Sequence, residues 1–133
     1  MSWDISIIKF SRDYSSIEEI PDDEVPLNLG ERSFVHESVL EFFPKTNWSD
    51  PAWGIYDCEF GSIGFNVGDK EIAEGMMLHV RASDEIVKPI IAMCLKNGWS
   101  GLDTGSGDFI EKADDPTSGI NSWREYRDQV LKK

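Results

Sequence analysis

Trp53-Gly-Ile-Tyr-Asp-Cys-Glu-Phe60, Ser62-Ile-Gly-Phe-Asn-Val67 and Met76-Met-Leu-His-Val-Arg81 are three short runs crowded into the middle of the chain. Each has the length of a strand and the apolar, aromatic and β-branched content that suits a pleated, half-buried surface. Gly61 alone parts the first two, and Gly68 to Gly75 part the second from the third, the spacing of a hairpin followed by another antiparallel strand. The reading is a meander. Towards the amino terminus, Ser2 to Phe10 alternates Trp3, Ile5 and Ile7 with Asp4 and Ser6, the two-residue period of a further strand.

Helical patterns flank these strands. From about Glu31 to Phe43, Val35, Val39 and Phe42 or Phe43 recur at helical spacing until Pro44 stops the pattern. Ser83 and Asp84 are candidate caps for a helix to about Asn97, with Ile86, Ile90, Cys94 and Val87, Ile91, Leu95 as its stripe and Gly98 as its stop. Pro89 removes a backbone donor there, so the regular helix is expected to begin close to it. Asp115-Pro116-Thr117 opens a last helix with Trp123, Tyr126, Val130 and Leu131 near one face, and Arg124, Arg127, Lys132 and Lys133 towards its end. Ser15 to Gly30, with two prolines and Asp22-Asp23-Glu24, reads as a flexible surface loop, and Thr46 to Pro51 as a turn-rich segment. Trp99 to Lys112 reads as a short strand, a Gly-rich turn and a second short strand. The expected fold is α+β, helices packed on one face of a mainly antiparallel sheet, with residues 1–133 as one domain.

Composition narrows the function. Thirteen Lys and Arg stand against 25 Asp and Glu, a formal charge of -12, while 40% of the residues are apolar. That is too much core material for a disordered acidic tail. A chain of this length buries about 68% of the surface its unfolded form exposes, so it needs no disulfide or metal staple. No apolar run suits a membrane span, and the start, Met1-Ser-Trp-Asp, lacks a basic and then apolar leader, so the expected location is the cytoplasm. Cys58 and Cys94 have no CxxC or Cys/His spacing and are read as buried free thiols. Nucleic-acid binding needs clustered Lys and Arg that this chain lacks.

Motifs for catalysis are thin. Asp103-Thr-Gly-Ser106 resembles the active-site turn of aspartic proteases, whose chemistry needs two carboxylates sharing one proton, and the chain carries one copy. The same residues make a Gly-rich turn in which Asp103 or Asp108 bonds nearby amides, the preferred reading. His36 and His79 lack a ligand partner at metal spacing, so neither a metal nor a cofactor is expected. There is no Walker loop, GxGxxG or GxSxG.

Charge distribution says more. Residues 1–74 hold 16 acids and 5 bases, whereas residues 75–133 hold 9 and 8, so nearly all the net negative charge lies in one half. Such a field speeds encounter with a basic partner, although a merely solvated surface explains it too. In the same half, Trp48-Ser-Asp-Pro-Ala-Trp53 sets two tryptophans around Asp50, followed by Asp57, a composition that suits an interface hot spot or a core anchor.

The stretches Met1 to Ile5, Ser49 to Gly54, Met77 to Arg81 and Leu102 to Ile110 resemble a group of small acidic bacterial proteins that implies no particular activity. In size and charge the chain also looks like immunity proteins of bacterial toxin systems, which neutralise a toxin by covering its active surface. This likeness implies a binding protein without catalysis, an immunity-type inhibitor that occludes a basic toxin domain. The partner-binding candidates are Asp22, Asp23, Glu24, Trp48, Asp50, Trp53 and Asp57. The alternative is a small enzyme or ligand-binding domain with His79 and Asp103 as its polar candidates, and a homo-oligomer built on exposed apolar residues is a third arrangement.

Overall fold

The computed structural model describes residues 2–131. Its main sheet is antiparallel throughout and has six strands: β1 (Trp3–Ile8), β3 (Asn47–Asp50), β4 (Trp53–Cys58), β5 (Gly61–Asn66), β7 (Met76–Ala82) and β8 (Ser100–Asp103), in the order β3-β4-β5-β7-β1-β8. A small second sheet pairs β2 (Gly30–Glu31) with β6 (Ile72–Ala73). The helices are α1 (Arg32–Phe42), α2 (Val87–Asn97) and α3 (Ser118–Leu131). The fold is α+β, and β4, β5 and β7 form the expected meander.

Alternation along the strands explains the layering. Trp3, Ile5 and Ile7 of β1, Ile63 and Phe65 of β5, and Met76, Leu78 and Val80 of β7 all turn to one face and are buried. Val35 and Val39 of α1, Ile90 and Met93 of α2, and Ile120 of α3 pack into the same core. The opposite face carries Asp4, Ser6, Met77, His79, Ser62 and Gly64, none of them buried. Pro89 falls in the first turn of α2, where its missing donor would be unpaired anyway, and the cap expected of Ser83 is replaced by a 3-10 turn over Asp84–Ile86. Gly98 ends α2 at φ 67, the left-handed conformation that suits glycine.

Several expectations are corrected. Residues 47–50, read as turn, form edge strand β3, paired through Asn47–Ile55 and Asp50–Trp53 with an irregularity between. Polar residues are tolerated on an exposed edge, and here Asn47 and Asp50 also accept from the amides of Ser49 and Ala52. The second strand expected after the Gly-rich turn is a single bridge, Leu102–Phe109, followed by a 3-10 turn over Ile110–Lys112. Phe109 and Ile110 are both buried, which consecutive strand residues on a one-sided sheet do not achieve. In α3, Ile120 and Trp123 face inward, while Tyr126 and Val130 are exposed, against the expected face. Lys132 and Lys133 lie outside the described residues. Cys58 is half-buried and only Cys94 is buried; both are free thiols.

Candidate functional site

The acidic loop hangs from the carboxyl end of β1, where the Leu27 amide donates to the Lys9 carbonyl at 2.7 Å. Asp22 and Asp23 are exposed and make no ion pair among the described residues. Glu24 differs, because the Ser11 amide and hydroxyl donate to its carboxylate at 3.1 and 2.7 Å. The Ser11 hydroxyl, assisted by Tyr14, holds its pKa below the usual carboxylate range. Glu24 is therefore a clasp that ties the loop to the segment following β1, while Asp22 and Asp23 remain exposed charges.

The two tryptophans part company. Trp48 lies on the helix side over Gly54, where a Cβ would stand 2.8 Å from its ring. Its other contacts are the His36 ring, stacked at 3.9 Å, and Phe65 at 6.3 Å. His36 Nε2 bonds the Pro51 carbonyl at 2.8 Å, so that histidine buttresses the β3–β4 corner. Trp53 lies on the opposite face over Gly64, at 3.0 Å from a Cβ built there, and stacks on His79 at 5.2 Å. Trp48 is thus a core anchor, and Trp53 is the one left on the open face. Asp50 spends an oxygen on the Ala52 amide at 2.9 Å, and Asp57 is exposed on β4. The expected binding residues fall into two groups, since the acidic loop springs from β1 and the rest sit on β3 and β4 at the far edge of the sheet.

A second constellation was hidden in strand one. Ile55, Gly64, His79 and Asp4 are register neighbours across four strands of the open face. His79 Nδ1 meets Asp4 Oδ1 at 2.9 Å, and the Ser2 hydroxyl donates to the same oxygen. Their side chains are 26% and 38% exposed, so the pair is a surface feature and not core. An aspartate on Nδ1 fixes the orientation of the ring. Ser2 lies on the carboxylate and not on the ring, so this is no nucleophile–base pair.

Asp4 also borders a cleft of about 420 Å³ between the start of β1, the turn after β8 and the first turns of α3. Thr104 donates its amide and hydroxyl to the Asp4 carbonyl at 3.2 and 3.1 Å, fixing one wall. Asp103, 3% exposed, accepts from the amides of Gly105 and Ser106 through Oδ1 at 2.8 and 3.3 Å, the turn preferred above for this protease-like tetrad. The sequence reading thus had His79 and Asp103, but not the residues linking them, Asp4, nor Trp3 and Trp123 beside Asp103. Asp4 stands at an outward position of an alternating strand, which looks like an ordinary solvated residue, and only cross-strand register brings it to His79.

At the opposite side of β8, Glu111 accepts from the Gly101 amide at 3.0 Å through Oε2, while Oε1 is buried without a partner. Burial raises its pKa, only partly offset by the Gly101 bond. Burial likewise pushes the Cys94 thiol up, with Glu111 adding to the shift. Among the described residues no group of three His, Cys, Asp or Glu could hold a metal ion, and no helix is long and apolar enough to cross a membrane. A scan of protein-family models and searches of curated proteins and of solved structures return no match to this chain.

Proposed function

We propose that this chain is a non-catalytic binding protein whose acidic amino-terminal half captures a basic protein, in the manner of an immunity protein that occludes a basic toxin domain. The observation that carries the reading is the unpaired charge. Asp22, Asp23, Glu31, Glu37 and Glu59 are exposed and make no ion pair among the described residues, in a half of the chain with 16 acids and 5 bases. Leaving like charges unneutralised costs stability through self-repulsion, and a cationic surface relieves it while gaining a faster encounter. Trp53 and the exposed Ile55 add apolar contact on the open face.

Affinity capture from the source lysate, eluted with salt, supplies the partner, and stopped-flow association with that purified partner tests the reading. A basic protein is expected, with an on-rate that falls as ionic strength rises. Asp22→Asn with Asp23→Asn should slow association roughly threefold at low salt and flatten its salt dependence, leaving the Glu24 clasp intact. A neutral or acidic partner, or an on-rate indifferent to salt and to these substitutions, would remove the basis of the proposal.

A second reading rests on the Asp4–His79 pair beside the cleft, which suits a small-molecule site. It predicts a thermal shift with a small ligand before any protein partner is added.

A further inference from the structure

The cleft beside Asp103 holds polar groups that the fold leaves unmatched. Trp3 is 3% exposed, yet its indole Nε1 is shielded from solvent and has no hydrogen-bond partner among the described residues; the same is true of Trp123 Nε1. An unsatisfied buried donor costs about 1–3 kcal/mol, so two lining one cleft call for an explanation. Asp103 directs Oδ1 to the turn amides, and among the described residues no hydrogen bond reaches its Oδ2. Gly119 shows where these groups converge: a Cβ there would stand 2.1 Å from Asp103 Oδ2 and 3.1 Å from Trp3 Nε1. The missing side chain leaves the Trp3 donor and the Asp103 acceptor both bordering the space it would have filled.

The chemistry of that wall selects a ligand class. Among the described residues no Lys or Arg lines the cleft while Asp4 and Asp103 do, which disfavours anions. Free indole N–H donors disfavour cations. A hydroxyl group both donates and accepts, so it matches an unpaired donor beside an unpaired acceptor, and Ser118 and Ser122 extend the same pattern along the wall. Indole rings pack against the C–H faces of a sugar ring, and both Trp3 and Trp123 line the cleft, although Arg127 covers one face of Trp123 at 5.1 Å. Both nitrogens are shielded from solvent, so a hydroxyl reaches them only when the first turns of α3, which form one wall of the cleft, move outward.

We propose that this cleft binds a neutral polyhydroxy ligand of pyranose size, whose hydroxyl groups accept from the Trp3 and Trp123 indoles and donate to Asp103 Oδ2. The site is independent of the acidic surface and of any basic partner.

The test is a heteronuclear NMR titration of the indole N–H resonances of the five tryptophans. Glucose, galactose, mannose and N-acetylglucosamine are added at about 10 mM, well above a dissociation constant of about 1 mM, with inorganic phosphate and spermidine in parallel. At least one sugar should move the Trp3 and Trp123 resonances saturably and leave Trp48 and Trp99 in place. Trp123→Phe, at a half-buried position, keeps an aromatic ring while losing the pyrrole half that carries the donor, and should weaken binding roughly tenfold. Asp103→Asn retains an oxygen for the turn amides and should weaken it by a similar factor, about tenfold. The proposal is overturned if no sugar moves the two resonances, if only phosphate or spermidine does, or if both folded variants bind sugar as tightly as the parent.

Discussion

Replacing Gly119 by alanine sets two effects of opposite sign against each other. In a helix, Gly→Ala stabilises by up to about 1 kcal/mol, less near an end, because alanine loses less backbone freedom on folding. Against this, the new Cβ would fall 2.1 Å from Asp103 Oδ2 and 3.1 Å from two atoms of the Trp3 indole. Neither neighbour is a loose end: Asp103 and Trp3 are each 3% exposed, and Asp103 is tied to two turn amides. The carboxylate and α3 must part by about an ångström, and overpacking of that kind costs about 1–3 kcal/mol. The clash wins, with a net loss of roughly 2 kcal/mol. An unfolding entropy of about 2.1 cal/mol/K per residue makes that a fall in Tm of about 7 °C for a chain of 133 residues. Differential scanning calorimetry reads it directly. In an Asp103→Ala background the closer obstacle is gone and only the 3.1 Å approach to Trp3 remains, so Gly119→Ala should become nearly neutral, a coupling of about 2 kcal/mol in a double-mutant cycle. A Tm for Gly119→Ala at or above that of the parent would show that α3 does not lie against Asp103, and the cleft as described would go with it.

Other consequences are simpler to check. The Glu111 carboxyl has its pKa raised on folding, so the penalty for its charge is absent below the ordinary value of 4.5 and complete above the raised one. Paired thermal melts should therefore show Glu111→Gln improving relative to the parent as pH rises through that window; a difference flat with pH would contradict the burial argument. Native protein should lose its Cys58 thiol to iodoacetamide while the buried, weakly acidic Cys94 resists until denaturant is added, which intact-mass measurement would reveal as single then double labelling. Rapid double labelling of the native chain would show that α2 does not seal Cys94.

The sequence by itself was enough for the parts of the fold that repeat a local rule. Trp3, Ile5 and Ile7 announce a one-sided strand, Val35 and Val39 a helix, Gly61 a hairpin, and Gly98 a helix stop, because side-chain period and backbone freedom act within a few residues. The acidity of the amino-terminal half is likewise a property of the chain alone. Elements lacking such a rule were read otherwise: β3 is polar and becomes a strand because β4 offers it an open edge, and Phe109 with Ile110 leave the strand pattern because both find room in the core. The faces of the two tryptophans were decided in the same way, by Gly54 and Gly64, whose missing side chains seat Trp48 inward and Trp53 outward. The cleft and the Asp4–His79 pair are furthest from the sequence. They join residues 75 apart in one case and β1, the β8 turn and α3 in the other, and only strand register and the close approach allowed by Gly119 set those side chains side by side.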